Sequence, residues 1–286
     1  MSPNKNLTIA LIQSSCSEKP EENLKKSVGK VKEAAKKGAK IICLQELYRT
    51  AYFPQYEKKD FSHLAETIPG ESTNTFSKLA KENDVVIIVP IFEKDKNKFY
   101  NSVVVIDADG KLLETYRKIH VPYDPLFYEK TYFEAGNNGY KVYNTKYGKF
   151  SVLICYDQWF PEAARICALK GADIIFYPTA IGYITDYDTS GENWQDSWET
   201  VQRAHSIANG VHVASVNRVG TEGKLEFFGS SFVCDSFGKL IKKASSDKEE
   251  ILIAEIDLST NKTTQENWGF LRNRRPETYS RLTDKK

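Results

Sequence analysis

The stretch VLICYDQWFP, residues 152–161, runs from an apolar half suited to a buried strand straight into a thiol, a carboxylate, an amide, three aromatic side chains and a proline. Cys155 sits at the joint. A free cysteine is among the most buried residue types, so a small core hydrophobe is one reading of it. The other is a nucleophile. A strand-to-helix elbow exposes the residue at its turn, Pro161 suits a first helical turn, and a helix N-terminus stabilises a thiolate. Glu46, in CLQELY, is either a solvated strand end or, set among Leu44, Leu47 and Tyr48, a general base. Lys118, in TYRKIHVP, is either one more surface lysine or a cation held where an oxyanion forms. Glu129, in LFYEKTYF, is a second carboxylate among aromatics, with a surface charge beside Lys130 as the alternative. His120 is open to a structural role or to orienting nearby groups and binding substrate, and Asp157 suits the backbone hydrogen bonds of the elbow. No GxSxG segment or Ser-His-Asp set competes with these residues.

The rest of the composition narrows the chemistry. Lys plus Arg number 40 and Asp plus Glu 38, a net charge of +2 that gives no global pull toward nucleic acid or an anionic membrane. The five cysteines are widely spaced, without a CxxC pair or a Cys/His cluster, so no metal site is expected. The N-terminal residues lack the apolar core of a secretory signal, and runs such as residues 85–92 are too short to span a bilayer. These features point to a soluble protein of a reducing compartment, the cytoplasm, with free thiols.

The elements that must position these groups follow from periodicity. Strands are expected at residues 7–13, 40–44, 85–91 and 101–107, with a hairpin partner at 111–116 after the DADG turn. Helices are expected at about 23–37 and 72–83. The second half repeats the alternation, with strands at 149–154, 174–177 and 211–216, helices at 161–170 and 193–209, and further β-segments between 225 and 257. The tail NWGFLRNRRPETY reads as irregular. AAKKGAKIICLQE (34–46) and CALKGADIIFYPT (167–179) echo one another, each a helix end, a Gly-Ala and an apolar strand. Two related β-α-β halves without a linker imply one domain over 1–286, a four-layer α-β-β-α sandwich of two mixed sheets with outer helices. Glu46 and Cys155 then fall just past strand ends, where open α/β folds place their sites.

The ordered set Glu46 in LQELY, Lys118 in YRKIH and Cys155 in LICYDQWFPEAAR resembles the carbon–nitrogen hydrolase (nitrilase) superfamily. FYPTAIG (176–182), VASVNRVG (213–220) and the tail extend the likeness along essentially the whole chain. The resemblance implies a Glu46-Lys118-Cys155 triad acting on a small-molecule substrate without a metal or organic cofactor, an oxyanion held by Lys118 and the Tyr156 backbone N–H, and Glu129 as a second glutamate orienting substrate and Lys118. Within the superfamily the chain looks most like the branch that acts on N-carbamoylputrescine in polyamine synthesis. That branch usually has Trp where Tyr156 stands, a change that keeps the backbone N–H, and residues 183–198 follow it less closely. Members that act on β-ureido acids or simple amides are the alternative, and a non-catalytic binding protein on the same fold is a third reading. A true nitrilase usually has Cys-Trp-Glu where this chain has Cys155-Tyr156-Asp157. For the far end of a substrate, Asp186, Asp188 and Glu192 are candidates to meet an ammonium, and Tyr52, Trp159 and Phe160 to sleeve a methylene chain. The superfamily implies a homodimer or higher homo-oligomer, with the tail from about 259 to 286 at an interface.

Overall fold

The computed structural model describes residues 6–187 and 191–284. The first half comprises β1 (Asn6–Gln13), α1 (Pro20–Lys36), β2 (Ile41–Leu44), α2 (Glu71–Asn83), β3 (Val86–Asp95), β4 (Lys98–Ile106) and β5 (Tyr116–Arg117). The second continues with β6 (Tyr143–Thr145), β7 (Gly148–Val152), α3 (Pro161–Leu169), β8 (Ile174–Pro178), β9 (Gly182–Ile184), α4 (Trp194–Asn209) and β10 (His212–Val216). It closes with β11 (Val219–Glu222), β12 (Leu225–Phe228), β13 (Phe232–Cys234), β14 (Leu240–Lys243), β15 (Glu250–Asp257) and α5 (Ser259–Trp268).

Two six-stranded sheets result, in the orders β15-β1-β2-β3-β4-β5 and β14-β13-β10-β8-β7-β6. Their centres are parallel, β1 with β2 and β3 in one, β7 with β8 and β10 in the other. Crossover helices join these strands, α1 and α2 in the first sheet, α3 and α4 in the second. The start of α1 is written into the chain, with Pro20 in its first turn beside Glu21 and Glu22, and Leu24, Val31 and Ala34 along the buried face. The echo between the halves holds in detail at the helix ends. Gly38 and Gly171 both take left-handed φ, 91° and 90°, and so turn each chain from its helix into the next strand.

Strand alternation sorts the core into layers. Ile9, Leu11, Ile41, Cys43, Val86 and Ile88 face Phe150, Val152, Ile174 and Phe176 of the second sheet. Their neighbours Ala10, Ile12, Ile42, Leu44, Ile87 and Val89 turn outward to Val31, Phe76 and Leu79 of the helices. Both faces are covered, which is why these strands read as continuous apolar runs rather than as alternating ones. On the far side α3 and α4 pack on one another, and α4 on β10. A third cluster, including Leu47, Tyr52, Phe53, Phe92, Val121 and Phe227, packs the loops above the strand ends.

Three features depart from the sequence expectation. The hairpin after residue 107 is reduced to an Ile106–Leu112 bridge, and the ladder resumes only where Tyr116 and Arg117 pair with Val103 and Ser102. A small third sheet, β11-β12-β9, was not foreseen. It needs glycine at 182, because a Cβ there would lie 2.3 Å from the Glu226 carbonyl oxygen. Finally, α5 was not expected: it lies ahead of the tail read as irregular, overlapping it only at Asn267 and Trp268, and it buries Asn261 and Thr264, so no apolar stripe announces it.

Candidate active site

The site forms between the carboxyl ends of the two sheets. Glu46 stands two residues beyond β2 and is fully buried. Its Oε1 accepts from Lys118 Nζ at 2.8 Å and from Asn101 Nδ2 at 2.7 Å, while Oε2 has no hydrogen-bond partner. Lys118 directly follows β5, and its backbone N–H donates to the Asn101 carbonyl at 2.8 Å. Its ammonium also donates to Glu129 Oε2 at 2.6 Å. Glu129 opens a short 3₁₀ turn and accepts the Tyr52 hydroxyl on Oε1 at 2.8 Å. Cys155 begins another 3₁₀ turn just past β7. Its φ of 43°, with that of Leu47 at 49°, puts a left-handed non-glycine residue beside each strand end, the kind of backbone strain that collects at functional sites.

Asp157 anchors the elbow. Its carboxylate accepts the Ile154 N–H (2.9 Å), the Tyr116 hydroxyl (2.7 Å) and the His120 N–H (3.0 Å), and lies 2.8 Å from His120 Nδ1. The pairing ties the segment carrying Lys118 to the segment carrying Cys155. His120 is therefore an orienting group here, stacked on Phe160 with ring centroids 3.6 Å apart.

Charge governs the protonation of this set. Two buried carboxylates share one buried ammonium, which leaves one negative charge in excess. Burial works against the Lys118 charge, but Glu129 and Glu46 outweigh it and raise its pKa above that of an ordinary lysine. Burial also pushes the Glu129 carboxyl up, with Glu46 adding to the effect and Lys118 opposing it. The Cys155 thiol is held well above its usual range, first by burial and then by Glu46. The expected thiolate stabilisation by a helix N-terminus is overridden, and the resting group is a neutral thiol whose Sγ lies 4.0 Å from the Ala180 carbonyl oxygen.

Cys155 opens into a cavity of about 130 Å³ whose walls include Pro122, Asp124, Phe127, Tyr156, Trp159, Ile181 and Trp194. Of the aromatics expected around a methylene chain, Trp159 lines this cavity. Tyr52 instead turns its hydroxyl to Glu129, and Phe160 is occupied by the His120 ring. The acidic candidates divide as well. Asp186 pairs with Lys224 at 3.1 Å in an exposed setting, and Glu192 accepts the Trp194 indole N–H at 2.6 Å. Asp188 lies outside the described residues. Sequence reasoning missed Asn101, Asp124, Phe127, Trp194 and the buried Arg218. Asp124 had one local signal, its place between Pro122 and Pro125 in a segment joining Lys118 to Glu129. Among the described residues, no group of three His, Cys, Asp or Glu side chains is placed to hold a metal ion.

Comparison with known proteins bears on this geometry. A family model described as carbon-nitrogen hydrolase matches residues 8–266. The N-carbamoylputrescine amidase of Solanum lycopersicum is 42% identical over 288 residues, covering 98% of this chain and 95% of that protein. The citrullinase of Francisella tularensis is 40% identical over 288 residues, covering 98% and 99%. Among solved structures, the carbon-nitrogen hydrolase from Helicobacter pylori G27 superposes with a TM-score of 0.93 at 40% identity, covering 98% of this chain and 99% of that one.

Proposed function

Since the chain belongs to the carbon–nitrogen hydrolase family, we propose that it hydrolyses the ureido group of an N-carbamoyl amine, N-carbamoylputrescine in the first instance, and so serves polyamine synthesis. The observation that carries the substrate assignment is the charge of the cavity. Asp124 and Glu129 line it with Cys155, and no lysine or arginine does so among the described residues. A largely apolar wall carrying an acid suits a methylene chain ending in an ammonium. The citrullinase relative favours a second reading, a ureido amino acid. Asp124 would accept its ammonium, but its carboxylate would find no cation on the cavity wall.

The mechanism follows from the protonation states. Glu46 Oε2 takes the thiol proton as Cys155 Sγ bonds to the ureido carbon. The carbonyl oxygen becomes an oxyanion held by the Lys118 ammonium and the Tyr156 backbone N–H. Glu46 returns the proton to the departing ammonia, leaving an S-carbamoyl enzyme. Water then gives a proton to Glu46 and its oxygen to the same carbon, and the C–S bond breaks with the proton going back to sulfur. The carbamic acid released loses CO2 to give the amine. Glu129, held by Tyr52, keeps Lys118 aimed and meets the substrate nitrogen. No step calls for a cofactor.

Two further assignments belong to this reading. A reducing, cytoplasmic setting accords with the five cysteines, all free thiols. Among the described residues, no helix is long and apolar enough to cross a membrane. Self-association through α3, α4 and the tail is supported by exposed Ile166, Leu169, Ile207, Phe270 and Leu282. The deciding experiment measures ammonia release from N-carbamoylputrescine, citrulline, N-carbamoyl-β-alanine and a short aliphatic amide. Preference for the diamine derivative is expected, with Cys155→Ala slower by on the order of ten-thousandfold or more. Preference for any of the others would overturn the substrate assignment, and an active Cys155→Ala would overturn the nucleophile.

A further inference from the structure

Arg218 is fully buried and takes part in none of the steps above. It follows β10 in the second sheet, yet its guanidinium serves the first. Nη2 donates to the carbonyls of Glu46 (3.0 Å) and Leu47 (2.9 Å). Nη1 donates to the Thr50 carbonyl at 3.0 Å and to both oxygens of Glu222 at 2.8 and 3.0 Å. Glu222 in turn accepts the Tyr52 backbone N–H at 2.6 Å.

A buried ion pair is a weak source of stability, since desolvation offsets most of its attraction and apolar residues of similar volume often do as well. The reason for this one lies in where its donors go. All three carbonyls belong to the loop that leaves β2 through Leu47 in its left-handed conformation. Glu46 stands at one end of that loop and Tyr52 at the other. The contacts close a ring: Arg218 to the Glu46 backbone and to Glu222, Glu222 to Tyr52, Tyr52 to Glu129, Glu129 to Lys118, and Lys118 back to the Glu46 carboxylate. Cys155 approaches the ring from the second sheet, the sheet from which Arg218 extends. A planar fork of five donors meets three carbonyls and a carboxylate at once, whereas a lysine presents its three donors from a single point.

We propose that Arg218, seated on Glu222, is a positioning residue that fixes the Glu46 loop of the first sheet against the second sheet carrying Cys155. The inference rests on the reading of Glu46 as the base. Its loop would otherwise be free to relax out of the left-handed turn and carry Oε2 away from the thiol.

The test compares Arg218→Lys and Glu222→Gln with the parent, Glu46→Gln and Cys155→Ala. Each is characterised by thermal melting, by the number of Cys155 thiols labelled at completion, and by kcat, KM and pH profile on N-carbamoylputrescine. For both positioning variants, kcat per labelled site falls about 10- to 100-fold, the scale of a small misplacement of a reacting group. KM stays within about threefold, because binding of the substrate's far end is untouched. The acid limb of kcat/KM keeps its place in Arg218→Lys, which retains the charge. A kcat per labelled site within about twofold of the parent in a folded variant overturns the proposal. So does a loss accounted for entirely by fewer labelled sites, or an acid limb that moves while the plateau holds, for these mark a structural or purely electrostatic role. If Arg218→Lys does not fold, Glu222→Gln decides on the same criteria. Turnover by Glu46→Gln would overturn the base itself. An inert Glu46→Gln beside a fully active Arg218→Lys overturns the positioning role alone.

Discussion

Glu46 keeps its two oxygens in different company, one bonded to Lys118 and Asn101, the other open. Asp124, on the wall of the cavity that Cys155 opens into, carries a prediction of its own through its charge. Asp124→Asn should raise KM for N-carbamoylputrescine by about 10- to 100-fold, the equivalent of one lost hydrogen bond to a charged group. On N-butylurea, which has the same ureido group and chain but no ammonium, wild type and variant should differ little. Equal KM values for wild type and variant on the diamine derivative would remove Asp124 from recognition. The difference between these residues also explains what the sequence made legible. Cys155 and Glu46 drew notice locally, each just past an apolar strand, whereas Lys118 and Glu129 said little by themselves and entered as members of an ordered set through the family resemblance. Asn101 and Arg218 matter through contacts 55 and about 170 residues away, and a local reading has no access to such pairs.

At the scale of elements, strand and helix positions were readable because both sheet centres are buried on two faces and the crossover helices carry one apolar stripe each. The bridge-like β5, the three-stranded sheet and α5 were not, because they are short, polar or held by backbone contacts instead of periodicity. One tertiary tie between elements has a pH signature. Glu249, ahead of β15, accepts from Lys26 of α1 at 2.7 Å and from the Ser15 hydroxyl at 2.6 Å, and pairs with Lys30 at 3.0 Å. Burial opposes its charge, but these donors outweigh burial and hold its pKa down from 4.5 to about 2. A carboxyl lowered by folding contributes stability above its unfolded value and loses it as the pH falls through the folded one. The contribution of Glu249 is therefore complete above the ordinary carboxylate range and disappears toward pH 2. Glu249→Gln should melt lower than the parent at pH 7 and converge with it as the pH approaches 2, as read by thermal melts across that range. A constant gap at every pH would assign the tie to packing instead of charge.

For the whole molecule, the two related halves put their helices outside, so whatever remains apolar on α3 and α4 has no further layer of this chain to cover it. Leu169 is 45% exposed and Ile207 39%, and the tail brings Phe270 and Tyr279 beside Ile207 around a groove of about 460 Å³. Cys155 lies at the start of the elbow that leads into α3, so a partner seated on α3 and α4 would brace the nucleophile from outside. Sedimentation at micromolar concentration should then find the parent as a dimer or larger. The double variant Leu169→Lys, Ile207→Glu should sediment as a monomer, since replacing two central apolar anchors with charges removes on the order of 2 kcal/mol each from such an interface. If bracing is real, that monomer keeps its fold but loses part of its kcat, and the loss should not depend on which N-carbamoyl substrate is used. A parent that sediments as a monomer would leave these side chains as ordinary surface. A monomeric variant with undiminished turnover would separate assembly from catalysis and leave the elbow dependent on Asp157 and its four contacts alone.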